Sequence, residues 1–80
     1  MKNKVLDYEL FDLLGYELMR KDNAFIVFNK KFMFFDKIIK FDLNFKKVEA
    51  KTDYGDSVAL SIYEINAINN FINQLNWEGE

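Results

Sequence analysis

Cysteine, histidine and proline are all missing from this 80-residue chain, and glycine occurs three times. Without thiols there is no disulfide framework, and an intracellular, cytoplasmic protein is expected. Without histidine or cysteine, Ser–His and Cys–His pairs, imidazole bases and the common zinc sites are excluded. Paired carboxylates could still do acid–base work, but the thirteen acidic residues are scattered singly, as on solvated faces. The expectation is a non-enzyme with no catalytic residue, no metal site and no cofactor. No stretch approaches eighteen consecutive apolar residues, so no membrane-spanning helix is expected. The opening "MKNKVLDYELFDLLGY" carries acids inside its apolar run, which does not fit a signal peptide. No repeat, low-complexity run or linker composition appears, so residues 1–80 read as one domain.

What is present can build a core. Half of the residues are apolar, 18% are aromatic and 30% are charged, which argues against a disordered chain. A first helix is expected over Leu6 to Leu14, with Leu6, Leu10 and Leu13 or Leu14 as its apolar stripe. Phe11 lies beside that stripe, and Gly15 takes a left-handed terminal position. The period then shortens. "YELMRKDNAFIVFNKK" reads as strands Tyr16–Arg20 and Ala24–Asn29 around a turn at Lys21–Asn23. "KIIKFDL" and "KVEAKTDY" alternate and are joined at Asn44–Phe45, the pattern of an antiparallel hairpin. Residues Tyr54–Ser57 supply a turn, and Val58–Leu60 a short edge strand.

The last third, "LSIYEINAINNFINQLNW", returns to helical spacing. Ser61 stands three residues before Glu64, the signature of a capping box. Ile62, Ile65, Ile68, Ile72 and Leu75 then advance as a stripe widened by Phe71, with the asparagines mainly outside it. Asn76 suits a left-handed terminus that would fold Trp77 back onto the sheet. The fold class expected is α+β: an N-terminal helix, an antiparallel meander of four to five strands, and a C-terminal amphipathic helix, both helices on one sheet face.

Charge is uneven along the chain. Residues 20–52 carry nine Lys or Arg against four acids, whereas residues 53–80 carry five acids and no base. In "NKKFMFFDKIIKF", Lys30, Lys31, Lys37 and Lys40 alternate with Phe32, Phe34, Phe35 and Phe41. Single-stranded nucleic-acid binders use this mixture, with rings on bases and cations on phosphates. The competing account makes the phenylalanines core and the lysines a solvated face. A surplus of apolar residues on both strand faces, with Phe25 and Val27 opposed to Ile26 and Phe28, points to a protein contact. The competing account there is a central strand shielded by the loop from Phe32 to Phe35.

The strings "FDLLGYE", "FIVFNKK", "IIKFDLNFKKV" and "LSIYEINAINNFINQLNW" resemble small proteins encoded by phages and prophages of low-GC Gram-positive bacteria. Leu14–Gly15–Tyr16, Glu64, Ala67–Ile68 and Leu75–Asn76–Trp77 carry the likeness, with Asn76 where a glycine is usual. The resemblance implies a helix–meander–helix fold and a host protein as partner. Some such proteins inhibit bacterial defences, CRISPR effectors included.

These lines converge on a non-catalytic protein-interaction module, a phage-encoded inhibitor of a defence system in its sharper form. The alternatives are a single-stranded nucleic-acid-binding module and a homo-oligomeric accessory protein that pairs with a second copy of itself. The binding candidates are Lys30, Lys31, Lys37 and Lys40, with Ile26, Phe28 and Phe34 as apolar anchors.

Overall fold

The computed structural model describes residues 6–77. Glu78 and Glu80, counted among the acids of residues 53–80, lie outside the described residues. The chain forms a short helix α1 (Glu9–Leu13), four strands β1 (Glu17–Lys21), β2 (Phe25–Lys31), β3 (Asp36–Asp42) and β4 (Lys47–Thr52), and a long helix α2 (Ile62–Leu75). The strands make one antiparallel meander in sequence order. Both helices pack on the same face, so the α+β architecture is the expected one.

Alternation decides which face is covered. Register places Ile26 opposite Phe41 and Phe28 opposite Ile39, and continues across to Val48 and Ala50. Ile26, Phe28, Ile39 and Phe41 are all buried under the helices with Phe11, Tyr16, Ala67, Ile68 and Phe71. Burying each large apolar side chain contributes about 1.5–3 kcal/mol. At the centre, Phe11 stacks on Phe28 at 4.1 Å, and the Phe71 ring meets Phe28 edge-on at 5.5 Å. Phe71 also tilts against Phe41 at 4.8 Å, and Trp77 reaches Phe41 from the far side at 6.3 Å.

Several boundaries differ from the sequence reading. Helix α1 is shorter than Leu6–Leu14 because the Asp7 carboxylate accepts the Glu9 amide. The Asp7 backbone is also bracketed by the Gln74 side chain at 2.6 and 2.9 Å. Its fully buried residue is Phe11; of the expected leucines, Leu6 and Leu14 pack partly buried against the core, whereas Leu10 is 40% and Leu13 74% exposed. One helical turn can present only one side chain squarely to the sheet, and the ring stack on Phe28 selects Phe11. Gly15 does take positive φ, at 90°.

Strand β1 begins one residue late because Tyr16 turns inward, and β2 runs on to Lys31. Val58–Leu60 forms no strand; a single bridge, Lys51 to Ser57, holds that return.

In α2 the capping box forms as expected, and Asn76 closes the helix at φ 63°. The apolar stripe is rotated, however. Glu64, Ala67, Ile68 and Phe71 face the sheet, while Ile62 is 64% exposed and Ile65 42%. The anchorage of Glu64, described below, sets that rotation.

Candidate protein-interaction site

The connection between β2 and β3 is a four-residue turn, Phe32–Met33–Phe34–Phe35. It contains neither glycine nor proline. Its shape is held by a backbone bond in which the Phe32 amide donates to the Phe35 carbonyl at 2.9 Å. The Phe32 and Phe35 rings stack at 4.9 Å with their planes 15° apart. The stack uses the two outer residues of the turn, so the two central ones point away: Met33 is 87% exposed and Phe34 80%. Below the tip, Lys30 lies over the rings of Phe32 at 5.3 Å and Tyr16 at 5.8 Å. On the other foot, the Asp36 amide donates to Asp53, which ties the tip to the turn after β4. The result is an apolar knob on a braced stem.

A second apolar feature is a groove of about 250 Å³ between α1 and α2, lined by Leu10, Leu13, Leu14, Tyr63 and Asn66. The uncovered face of the sheet holds a second cleft, of about 320 Å³, around Phe25, Lys40, Asp42, Lys47, Val48 and Glu49. There the Phe25 ring already carries Arg20 at 5.0 Å and Lys40 at 4.9 Å. Lys40 is also paired with Glu49 at 3.3 Å.

Beneath the helices sits a buried polar cluster. Glu64 accepts from the Tyr16 hydroxyl at 2.5 Å, from the Lys37 ammonium at 2.8 Å, and from the Ser61 amide at 2.8 Å. Lys37 donates in addition to the Ala59 carbonyl at 2.9 Å. Burial acts to raise the Glu64 carboxyl, but Lys37, Tyr16 and Ser61 together outweigh it and hold the carboxyl down at about 2. Burial first, and then the Glu64 carboxylate, push the Tyr16 hydroxyl far above its ordinary range. Both carboxylate oxygens are engaged, and no buried side-chain N or O among the described residues lacks a partner. A saturated cluster of this kind is a clamp. It fastens the start of α2 to β3 and to the joint between α1 and β1.

The site residues expected from sequence separate into three groups. Ile26 and Phe28 are 2% and 1% exposed, so they are core and cannot form a contact surface. Lys37 is buried too, and its charge is spent on Glu64. The reason is parity: Lys37 shares the inward face of β3 with Ile39 and Phe41. Lys40 lies on the opposite face, bound to Glu49, while Lys30 is half-buried against Tyr16. Lys31 and Phe34 are exposed, as a binding surface requires. The loop from Phe32 to Phe35 does not bury its own side chains. The sequence reading missed Met33, the groove wall formed by Leu13 and Tyr63, and the Tyr16–Glu64–Lys37 clamp. Lys37 alone carried a usable signal, its place in the alternation.

Among the described residues, no three acidic side chains converge as metal ligands would. None of the described helices is long and apolar enough to cross a membrane. No family model, curated protein or solved structure matches this chain.

Proposed function

We propose that this chain is a small, non-catalytic interaction module that docks the β2–β3 tip on another protein. The observation that carries this reading is the exposure of Met33 and Phe34 at a turn whose backbone and flanking rings are fixed. Single apolar residues on a surface need no explanation, but four in succession do. Turns ordinarily use glycine, asparagine, aspartate or serine, and such residues here would leave the core untouched. A rigid aromatic knob also suits binding, since buried aromatic anchors dominate interface energetics and a preformed turn loses little entropy on docking.

A host protein as the partner, and the inhibition of a bacterial defence system such as a CRISPR effector, are supported by the sequence resemblance alone. Single-stranded nucleic acid is the less favoured partner. The basic segment does not form a continuous phosphate track, because Lys37 is inside and Lys40 is held between Phe25 and Glu49.

The test is capture from a Gram-positive bacterial lysate with the wild-type chain and with Phe34→Ser, with and without nuclease. A partner retained by the wild type, lost with Phe34→Ser and indifferent to nuclease is expected. Nuclease-sensitive capture that survives Phe34→Ser would replace this reading with the nucleic-acid one.

A further inference from the structure

Lys30 follows Ile26 and Phe28 on the inward face of β2, and register sets it directly opposite Lys37. Like charges directly opposite one another destabilise a strand pair, so the sheet gains nothing from a cation at this position. The two heads are led apart. Lys37 goes to the Glu64 carboxylate at 2.8 Å. The Lys30 ammonium turns toward rings instead, those of Phe32 at 5.3 Å and Tyr16 at 5.8 Å.

Gly15 leaves room for that path. A Cβ at position 15 would stand 3.3 Å from the Lys30 Cε and 3.8 Å from its Cδ and Nζ, so a side chain there would press on the lysine stem. The bare backbone of Gly15, at φ 90°, thus seats the stem as well as ending the first helix. Lys30 spans two parts of the molecule in this way. On one side is Tyr16, fixed by its hydroxyl to Glu64 in the buried clamp. On the other is Phe32, whose amide and ring both engage Phe35 to close the tip. The β3 foot of the tip has its own tie, from the Asp36 amide to Asp53. Lys30 supplies the matching tie on the β2 foot.

We propose that Lys30 is the positioning residue of the tip. Its seat on Gly15 and Tyr16 holds Phe32 in the stack with Phe35, which keeps Phe34 aimed outward. Lys30 acts through Phe32, and a ring face can hold its ammonium while the head stays in water. The consequence for binding rests on the reading of the tip as a docking element.

Hydrogen exchange of the full chain tests the role, in wild type, Lys30→Ala and Lys30→Arg, read at two amides. The Phe32 amide, bonded to the Phe35 carbonyl at 2.9 Å, reports the tip. The Leu43 amide, bonded to the Ala24 carbonyl at 2.9 Å, reports the opposite end of the sheet. In Lys30→Ala the Phe32 amide should exchange about tenfold faster, the scale set by two cation–π contacts. Leu43 should exchange at the wild-type rate, and the urea midpoint should stay close to wild type, since the alanine also removes the charge opposite Lys37. Lys30→Arg, whose guanidinium packs on ring faces as well, should restore protection at Phe32. Unchanged Phe32 exchange in Lys30→Ala, acceleration shared equally by Leu43, or no rescue by arginine would each overturn the proposal. Lysate capture separates it from the proposed function. Lys30→Ala should hold the Phe34-dependent partner about tenfold more weakly, because a loosened tip must be ordered on docking. Phe34-dependent capture with unmoved exchange would sink the positioning role alone. A loosened Phe32 amide in a chain whose capture ignores Phe34 would sink the docking reading and leave Lys30 as the brace of the turn.

Discussion

Two groups of phenylalanines in this molecule have opposite fates. Phe11, Phe28, Phe41 and Phe71 come from four different elements and meet under the helices, each 1% exposed or less. Phe32, Phe34 and Phe35 come from one turn and stay near the surface, where Phe32 and Phe35 stack on each other and Phe34 is left to solvent. Composition treats the two groups alike, and so does hydropathy. What separates them is sequence distance. Rings that arrive from distant positions close loops and exclude water from a shared volume, whereas consecutive rings at a turn cannot surround one another. The first group holds the fold, and the second is available for contact.

The comparison can be broken or sharpened by substitution. Phe28→Ala should lower stability by about 3–5 kcal/mol, because its cavity opens where Phe11, Phe71 and Tyr8 all touch it. A urea midpoint close to wild type would show that the central rings are not the core. Lys37→Met should cost about 3 kcal/mol, the lower end for breaking a buried pair, since Tyr16 and Ser61 continue to donate to Glu64.

The same clamp predicts the acid limb of stability. The Glu64 carboxyl is lowered in the folded chain from 4.5 to about 2. A depressed carboxyl stabilises above its unfolded value, and that stabilisation, roughly 3 kcal/mol, drains away between about pH 5 and pH 2. Urea titrations across that window should show it, and Glu64→Gln should flatten the slope. On the alkaline side Tyr16 is raised, so stability should fall as pH climbs past the ordinary tyrosine value of 10.0. Ser61→Ala, which removes the hydroxyl that accepts the Glu64 amide at 3.1 Å, should cost about 1 kcal/mol.

Smallest of all on stability is Phe34→Ser, expected within about 0.5 kcal/mol of wild type. Its effect should appear in binding instead. A large loss of stability in this variant would move Phe34 into the first group of rings and remove the basis for the tip as a docking element.

How far these roles could be read in advance depends on the range of the interaction involved. The Ser61–Glu64 capping box and the left-handed Asn76 were legible, because their partners lie within one helical turn. The alternation of β3 and β4 was legible for the same reason, since neighbouring side chains point to opposite faces whatever lies beyond them. The rotation of α2 was not. Its isoleucines make a regular stripe, yet Glu64 is drawn inward by Lys37, 27 positions away, and Tyr16, 48 positions away, which leaves Ile62 and Ile65 outside.

Local spacing therefore determined the order of the two helices and four strands, the caps of α2 and the faces of β3 and β4, all of which follow from contacts a few residues long. The tertiary structure alone decided which lysine becomes a buried counter-ion and which phenylalanines the core leaves out. Those outcomes depend on desolvation and on packing volume, and neither exists until distant segments have come together.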